Sequence, residues 1–508
     1  QILKCNIKRI TDNEVVVALR SKTMDAEYFK KHPYWALERD LMEKGFDDMY
    51  KSLACFLQTP KPKRDLLFGL KAPEFQPLKY RVSGELSDEQ RGLMERALSA
   101  KDYFLLQGPP GTGKTSYMLR NMVQSLHDST DENIMVMAFT NSAVEEICRH
   151  LNKARLPHLR LSRSGSAANC FNKLAEQKTV SELNELVVNT RIFVSTQASF
   201  GGFSQLAKFK KFHTVIVDEA SQLLEPHLVG ILPLFERFIL IGDEKQLPAV
   251  VTQADKYTKV EDEVLTALHL KSLKNSLFSR LLATCQANGW HQAYGMLTKQ
   301  GRMHHDICAY VSGEYYENKL QPIREDQYEE QHTFKADSEN KYERALAKSR
   351  LIFVPAAREA VSKVSQNEAA IVAGFIKTVH KVYGSNFNQH SVGVVTPYRS
   401  QIATIKRSGH VEPSIMQQVD VDTVERFQGS ERDVIIISLA VNHHKQMQFL
   451  ESLTDDGLVD RKLNVSLTRA KKQVVVVGCE SVLRSSASYR KLLEYITEQG
   501  GYINLSQI

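Results

Sequence analysis

The residues best suited to chemistry lie in the stretch GPPGTGKT. Its glycines let backbone N–H groups turn inward around a phosphate, Lys114 can place a positive charge between two phosphates, and the Thr115 hydroxyl suits Mg²⁺. An apolar run, YFLLQ, precedes the stretch, and the helix-like SYMLRNMVQSL follows it, so the positive end of a helix would face the phosphates. The stretch therefore predicts a nucleoside triphosphate site formed by Gly108, Pro109, Pro110, Gly111, Thr112, Gly113, Lys114 and Thr115.

Two carboxylates, Asp218 and Glu219, end a second apolar run, HTVIV. At the carboxyl end of a strand, Asp218 can hold Mg²⁺ and Glu219 can act as the general base toward an attacking water. A third run, RFILIGD, precedes Gln246, whose amide has the reach to sense a γ-phosphate. Either pattern by itself, the carboxylate pair or the third run, would also occur in a solvated loop. Downstream of a phosphate loop, however, the carboxylates favour hydrolysis over binding alone.

Seven sequence blocks together resemble the motifs of superfamily one helicases. The first half of the chain supplies GPPGTGKT, DEASQ and GDEKQLPAVV, and the second half supplies QGRM, VGVVTPYRSQ, VDTVERFQGSERD and LNVSLTRAKK. The blocks stand in the family's order and spacing. The resemblance extends to subgroup B, whose members move 5′ to 3′ and include the nonsense-mediated-decay helicase and the Okazaki-fragment nuclease–helicase. It implies an ATP-dependent helicase that uses ATP and Mg²⁺.

The resemblance also implies an α/β fold of two RecA-like domains with parallel sheets, with ATP in the cleft between them. Arg302 and Arg469 are similar to the family's two cleft arginines, which stabilise charge on the γ-phosphate during hydrolysis. Gln90 resembles a glutamine that binds adenine, and Glu431 resembles a residue near the ribose. The alternatives are surface ion pairs for the two arginines, a helix-start position for Gln90 and a helix or strand cap for Glu431. Because many relatives have a tyrosine where Gly301 stands, stacking on the base is lost there and adenine selectivity stays open.

Nucleic acid would cross the tops of both domains, by the same resemblance. Short hydroxyl and amide side chains at strand ends suit phosphate and sugar contacts, and a tyrosine can stack on a base. For Tyr398, the alternative is a position in the core or in a turn. The predicted contacts are Thr140, Asn141, Ser195, Thr196, Thr396, Pro397, Tyr398, Arg399 and Thr423.

Several functional alternatives stay open on the sequence alone. We favour single-stranded DNA as the partner, because the N-terminal segment resembles the stalk of the nuclease–helicase more than that of the decay helicase. An RNA helicase, or an ATP-dependent remodeler of protein–nucleic-acid complexes without processive unwinding, would carry the same blocks. A nucleotide-gated binding module is disfavoured because the catalytic side chains are intact. No nuclease motif is present, so we expect no phosphodiester cleavage.

The elements that must position these residues alternate between strand-like and helix-like segments, which predicts parallel sheets with helices on both faces. We expect a partial β-barrel and helical stalk at 1–80, including a hairpin at 1–20 and a helix within 34–57. The first motor domain is predicted at 81–284, with an insertion at about 151–190, and the second at 285–508. SQNE has the spacing of a capping box between Ser365 and Glu368.

Composition narrows the class of protein further. The 508 residues are 42% hydrophobic and 25% charged, and no apolar run approaches the roughly 18 residues of a membrane span. The net charge of +7 permits binding to a polyanion without requiring it. The seven scattered cysteines form no CxxC pair, which argues against a zinc or iron–sulfur site and suits a reducing compartment. We expect a cytoplasmic location in a bacterium, a nuclear or cytoplasmic one in a eukaryote, and a longer protein with a nuclease or other domain upstream of Gln1.

Overall fold

The protein divides into two compact units, Gln1–Lys51 and Ser52–Ile508. The computed structural model describes residues 5–11, 13–19, 29, 31, 34–37, 44–78, 81–162, 169–203, 206–251, 253–329, 333–359 and 363–507. Parts of the predicted barrel, stalk and insertion therefore lie outside the described residues.

The N-terminal unit contains the predicted hairpin. Strands β1 (Cys5–Ile10) and β2 (Val15–Leu19) pair antiparallel, with an irregularity in register between Ile7 and Arg9. Asp12, one of the two predicted turn residues, lies outside the described residues. A helix, Lys44–Gln58, follows in the predicted 34–57 segment. The two strands form a sheet of their own, so the barrel and stalk stay predictions.

The first sheet of the larger unit has seven parallel strands. Their order is β5–β6–β4–β7–β8–β3–β9, and all neighbours run parallel. β9 pairs with β3 although it lies past residue 284, so the first sheet extends beyond the predicted domain boundary. The strands are β3 (Tyr103–Gln107), β4 (Ile134–Ala138), β5 (Leu159–Leu161), β6 (Ile192–Thr196), β7 (Thr214–Val217), β8 (Arg237–Gly242) and β9 (Tyr294–Met296).

A second parallel sheet follows, in the order β12–β16–β15–β13–β14. A short parallel pair, β10 and β11, lies between the two sheets in the chain. The strands are β10 (Lys299–Gln300), β11 (Gln321–Pro322), β12 (Leu351–Pro355), β13 (Val392–Val395), β14 (Asp420–Asp422), β15 (Arg432–Ser438) and β16 (Ala470–Gly478).

Both large sheets are covered on both faces, as their unbroken apolar runs predict. Alternate residues of β3 enter different cores, since Leu105 packs in one hydrophobic cluster and Leu106 in another. The second sheet divides in the same way, with Ile435 and Ile436 in different clusters. Side chains alternate across a strand, so a strand buried on both faces has a nearly continuous apolar run. The two sheets form the two RecA-like domains that the resemblance implied.

Helices provide the covering layers, and the π-helical turn Lys114–Leu119 leads directly into one of them. Among the described residues, no helix is both long enough and apolar enough to cross a membrane. The α-helices are Lys44–Gln58, Lys61–Phe68, Asp88–Ser99, Arg120–Ser129, Asn141–Lys153, Phe171–Gln177, Val180–Asn189, Gln197–Phe203, Leu206–Phe209, Glu225–Leu228, Glu263–Ala267, Leu277–Ala287, His305–Tyr315, Lys341–Lys348, Gln366–Tyr383, Arg399–Arg407, Pro413–Met416, Val424–Phe427, Met447–Leu450, Arg461–Leu467, Glu480–Leu483 and Ala487–Glu498.

Candidate active site

The glycine-rich loop follows β3 at the carboxyl end of the first sheet. Gly111 and Gly113 have φ of 78° and 75°, a left-handed conformation that glycine adopts without strain. A Cβ at Gly111 would also lie 2.7 Å from the Cβ of Arg302, so the loop approaches the second half of the chain closely. The Gly301 N–H donates to the Gly111 carbonyl at 2.9 Å. The loop therefore lies at the boundary between the two domains.

Lys114 pairs with the carboxylate that sequence reasoning proposed as the base. Its Nζ lies 2.9 Å from Glu219 Oε1, and both side chains are largely buried. Burial opposes the charge on Lys114, but the neighbouring carboxylates, led by Glu219, raise its pKa above the usual value. Burial likewise opposes ionisation of Glu219, but attraction and a hydrogen bond from Lys114 lower its pKa. The lysine is thus held as a cation and the glutamate as an anion.

Glu219 lies at a strained turn after β7. Its φ is 53°, which is uncommon for a residue other than glycine and costs conformational energy. Its N–H donates to Asp218 Oδ1 at 2.9 Å, and Asp218 Oδ2 accepts from the Thr115 hydroxyl at 2.6 Å. Burial, followed by repulsion from Glu219, raises the pKa of Asp218. The two proposed metal ligands, Thr115 and Asp218, are therefore already in contact.

The third strand end carries a buried hydrogen-bond network that joins the two domains. Gln246 donates to Asp243 Oδ2 at 2.7 Å, and the Tyr316 hydroxyl donates to the same oxygen at 2.8 Å. Asn464 in turn donates to the Tyr316 hydroxyl at 3.0 Å and to the Lys245 carbonyl at 2.8 Å. Burial raises the pKa of Asp243, and these hydrogen bonds oppose that rise. Gln246 is therefore positioned partly by residues of the second domain.

Arg302 reaches the cleft from just after β10. Its Nε donates to Glu431 Oε2 at 2.6 Å, and Nη1 donates to the Thr468 carbonyl at 3.1 Å. Lys471 binds the other oxygen of Glu431 at 2.9 Å. Burial opposes ionisation of Glu431, yet Arg302 and Lys471 lower its pKa to about 2. In this structure Glu431 holds two cations, and its predicted position near a ribose stays a prediction.

Arg469 is almost fully buried, at 2% exposure. Its Nε donates to the Val465 carbonyl at 2.9 Å and Nη2 donates to the Thr468 hydroxyl at 3.2 Å. Burial and then repulsion from Arg302 lower the pKa of Arg469 to about 9, while Glu219 opposes the shift. Among the described residues, no carboxylate is hydrogen-bonded to this buried guanidinium, which is electrostatically costly, and an anion brought into the cleft would offset that cost.

Gln90 lies at the start of a helix, which is the alternative interpretation, and it also lies where the predicted nucleotide would bind. Its side-chain carbonyl accepts the Ser87 N–H at 3.2 Å, and its own N–H donates to the Ser87 hydroxyl, also at 3.2 Å. This is a capping box at the start of the helix Asp88–Ser99. Gln90 also lines the cleft, so the cap does not exclude the predicted contact with a base.

Most of these side chains line one cavity of about 1220 Å³. Gly108, at the base of the loop, and the buried Asp218 do not line it directly, although Asp218 contacts Thr115. The proposed catalytic and nucleotide-binding residues that line it are Gln90, Pro109, Pro110, Gly111, Thr112, Gly113, Lys114, Thr115, Glu219, Gln246, Arg302, Glu431 and Arg469.

The predicted strand-facing residues of the first domain differ in exposure. β4 and β6 are neighbours, so Thr140 and Thr196 follow the same end of adjacent strands. Thr140 and Asn141 are exposed, and the Thr140 hydroxyl caps the next helix by accepting the Ala143 N–H. Ser195 is fully buried and donates to backbone carbonyls, including that of Thr196 at 2.8 Å. In this conformation the Ser195 hydroxyl is therefore used within the sheet, and the predicted contact of Ser195 with nucleic acid stays a prediction.

The second domain shows the same division. The Thr396 N–H donates to the Asp422 carbonyl, which brings Thr423 to the same sheet edge. Thr396 is fully buried, and Tyr398 is 9% exposed with the Lys363 ammonium 5.9 Å from its ring centroid. Tyr398 therefore fits its alternative as a core residue and offers little surface to a base. Arg399 is exposed, while Pro397 and Thr423 are half-buried.

Sequence reasoning missed several groups of the site. Tyr316 donates to Asp243 and accepts from Asn464, and Lys471 shares Glu431 with Arg302. Asn464 and Lys471 lie inside the block LNVSLTRAKK, so the block was a signal for both. Tyr316 lies at the end of a helix, His305–Tyr315, and no local pattern distinguishes it from the neighbouring core tyrosines. Tyr117, in the cavity wall, was likewise not singled out.

Two family models match the chain, and both are described as an AAA domain. One matches residues 85–305 and the other residues 273–481, so together they span most of both motor domains. The matched ranges contain Lys114, Glu219, Gln246, Arg302 and Arg469.

Three curated proteins illustrate the similarity. The DNA replication ATP-dependent helicase/nuclease JHS1 of Arabidopsis thaliana is 26% identical over 500 residues, covering 93% of this chain and 35% of that protein. The DNA replication ATP-dependent helicase/nuclease DNA2 of Bos taurus is 30% identical over 450 residues, covering 83% and 39%. The DNA polymerase alpha-associated DNA helicase A of Saccharomyces cerevisiae is 26% identical over 491 residues, covering 81% and 67%. The chain thus spans well under half the length of the two helicase/nucleases.

Proposed function

We propose that this chain, which belongs to the superfamily one helicases, hydrolyses ATP between its two RecA-like domains and uses the energy to move along single-stranded DNA, separating duplexes. The observation that carries the proposal is the single cavity lined by Lys114, Glu219, Gln246, Arg302 and Arg469. Transfer of a phosphoryl group to water needs a phosphate-binding cation, a group that orients water and positive charge for the transition state. These five side chains supply all three.

Nucleotide binding and base activation are linked by the Lys114–Glu219 pair. A triphosphate offers Lys114 a stronger anion than Glu219, so Lys114 transfers to the phosphates. Glu219 is then released from its only described ion pair and can accept a proton from water. The exchange keeps Glu219 paired with Lys114 until a nucleotide is present.

Thr115 and Asp218 fit the Mg²⁺ that the family implies. Mg²⁺ is commonly bound by one or two carboxylates together with phosphate oxygens, and a P-loop hydroxyl completes such a set. The contact between these two side chains brings the required oxygens together, and no larger cluster of metal-binding side chains occurs among the described residues. When bound, the ion would neutralise charge on the phosphates.

Arg302 and Arg469 connect the chemistry to domain movement. Both come from the second domain, whereas the phosphate loop belongs to the first. A triphosphate in the cleft attracts both arginines, so the domains close around it and open again after hydrolysis. If each domain grips the strand in turn, closure becomes directed stepping. The 5′-to-3′ direction is proposed from the subgroup that the sequence blocks resemble.

DNA is proposed over RNA because the relatives reported above are DNA helicases. The exposed Thr140, Asn141 and Arg399 are available for backbone contacts, and the net charge of +7 favours a polyanion. RNA remains the alternative polymer, since 2′-hydroxyl contacts leave no readable motif.

Strand displacement on tailed duplexes tests this proposal. We expect ATP-dependent release of a labelled strand from a DNA duplex with a 5′ single-stranded tail, but not from a blunt duplex or one with a 3′ tail. Lys114→Ala should abolish release. Displacement from the 3′-tailed duplex alone would refute the direction. ATP hydrolysis without displacement on any tailed DNA or RNA would refute the helicase activity and favour a remodeler.

A further inference from the structure

The cavity contains an aromatic ring that the proposed chemistry does not use. A triphosphate on the loop Gly108–Thr115 must place its base in the same cavity, which has a volume of about 1220 Å³. Among the described residues that line this cavity, Tyr117 is the one with a six-membered aromatic ring, and it is 50% exposed. An open aromatic face in a cavity is a surface for a planar ligand.

The backbone places this ring beside the phosphate loop. Tyr117 lies in the π-helical turn Lys114–Leu119, where the N–H groups of Tyr117 and Met118 both donate to the Gly113 carbonyl, at 2.9 and 3.2 Å. A Cβ at Gly113 would come within 2.8 Å of Cδ2 of the ring, so the ring lies against the end of the loop. π-Helical turns are rare and frequently occur at functional sites.

A neighbouring cation supports the ring. The Arg120 guanidinium carbon lies 5.5 Å from the centroid of the Tyr117 ring. Arg120 is itself fixed by Nε and Nη2, which donate to Asn121 Oδ1 at 3.2 and 3.0 Å. This contact restrains the half-exposed ring, which lowers the entropic cost of binding a ligand.

The cavity wall at Gly301 carries no side chain. Gly301 lies against the phosphate loop and lines the same cavity. A Cβ built there would meet only Ile323 Cγ2, at 3.7 Å, so no side chain fills this space. Gln90 can contribute at the edge of a base, but one acceptor site of its carbonyl is already used by Ser87. The main contact that the cavity offers to a base is therefore stacking on Tyr117 and not recognition of the base edge.

We propose that Tyr117 stacks on the base of the bound nucleotide and sets a preference for purine over pyrimidine triphosphates. The proposal rests on the proposed function, since it concerns the same ATP site. A purine presents two fused rings to the tyrosine and a pyrimidine presents one, so the stacking contribution is larger for the purine. Because stacking does not distinguish the edges of adenine and guanine, both purines are bound.

The test compares the wild type with Tyr117→Ala and Tyr117→Phe. A matched control is Tyr257→Ala, because Tyr257 is another exposed tyrosine, with the Lys256 ammonium 4.7 Å from its ring centroid, and it does not line the cavity. The measurements are KM and kcat for ATP, GTP and CTP, the quenching of 2-aminopurine riboside triphosphate fluorescence on binding, and inhibition of ATP hydrolysis by inorganic tripolyphosphate, which has no base.

Base–aromatic stacking predicts that Tyr117→Ala raises KM for ATP and GTP at least about fivefold, raises KM for CTP less, and removes the quenching. In Tyr117→Ala, inhibition by tripolyphosphate and kcat should stay within about twofold of wild type. Tyr257→Ala should stay within about twofold of wild type, and Tyr117→Phe should restore KM. An unchanged KM for ATP would overturn the proposal. So would equally weakened tripolyphosphate inhibition, which would indicate a merely structural role. The fluorescence titration needs no hydrolysis, so a failure of the proposed activity would be distinguishable.

Discussion

Replacing Glu219 by glutamine should tighten nucleotide binding while it strongly slows hydrolysis. In the structure Lys114 Nζ lies 2.9 Å from Glu219 Oε1, and both side chains are less than one-fifth exposed. A nucleotide must draw Lys114 away from this anion before the lysine can bind phosphate. Glutamine has nearly the same shape but no charge, so Lys114 is released more easily and one repulsive charge near the phosphates disappears.

The size of the effect follows from the pair. A hydrogen bond between two ions contributes about 3 kcal/mol and one with a single charged partner about 1.5–2 kcal/mol, so release of Lys114 costs about 1–1.5 kcal/mol less. That difference corresponds to about five- to tenfold tighter ATP binding. Loss of the general base should lower kcat by about 10²- to 10⁴-fold.

Two measurements check this expectation: the Kd of a fluorescent ATP analogue and the rate of phosphate release with saturating single-stranded DNA. Glu225→Gln is the matched control, because Glu225 is similarly buried and paired with Arg280 at 2.5 Å, outside the cavity. It should change neither value more than about threefold. Weaker binding by Glu219→Gln would refute the competition for Lys114, and an unchanged kcat would refute the role as base.

Three further changes probe the cleft and the strand-facing surface. Tyr316→Phe removes a hydrogen bond of about 2 kcal/mol to buried Asp243 and should lower kcat at least about tenfold. Because that bond lowers the pKa of Asp243, its loss should also move the acid limb of kcat to higher pH, and an unmoved pH profile would contradict positioning through Asp243. Arg302→Ala should lower kcat about a thousandfold, whereas Glu431→Gln should lower it far less, as measured by phosphate release; equal losses would indicate that the pair is structural. Thr396→Val should leave the affinity for single-stranded DNA unchanged and raise stability slightly, because the buried Thr396 hydroxyl has no hydrogen-bond partner among the described residues. Arg399→Ala should instead weaken DNA binding and reduce its dependence on salt. The reverse pattern in fluorescence anisotropy titrations would restore Thr396 as a contact.

The long central strands could be predicted because burial on both faces leaves a continuous apolar run. β3, β4, β6, β7 and β8 all have this pattern, and the structure confirms each one. Among the described residues, five strands were missed. β5, β9 and β14 have three residues each, and β10 and β11 have two, which is too short for any periodicity to show. Their place in a sheet depends on pairing with distant segments, which no local pattern reports.

The cleft was predictable for a different reason. Lys114, Glu219 and Gln246 follow strands that are close in one sheet, and Arg302 and Arg469 stand in sequence blocks with family spacing, so their types and order indicated a shared site. The remaining features of the cleft depend on how the side chains pack in three dimensions.

Several outcomes could not be read from the sequence. Ser195, Thr396 and Tyr398 have suitable chemistry at strand ends, but neighbouring segments bury them. Glu368 shows the same limit: Ser365 caps the helix as predicted, but the Glu368 carboxylate accepts from Ser438 and Ala440 instead.

The most direct test of a nucleic-acid-driven ATPase is the rate of ATP hydrolysis by the purified chain without polymer, with single-stranded DNA and with single-stranded RNA, beside Lys114→Ala. We expect strong stimulation by DNA, weaker stimulation by RNA, and no hydrolysis by the variant. A rate that is indifferent to both polymers, or that survives Lys114→Ala, would contradict the proposal that the cleft of Lys114, Glu219, Arg302 and Arg469 drives movement along a nucleic acid.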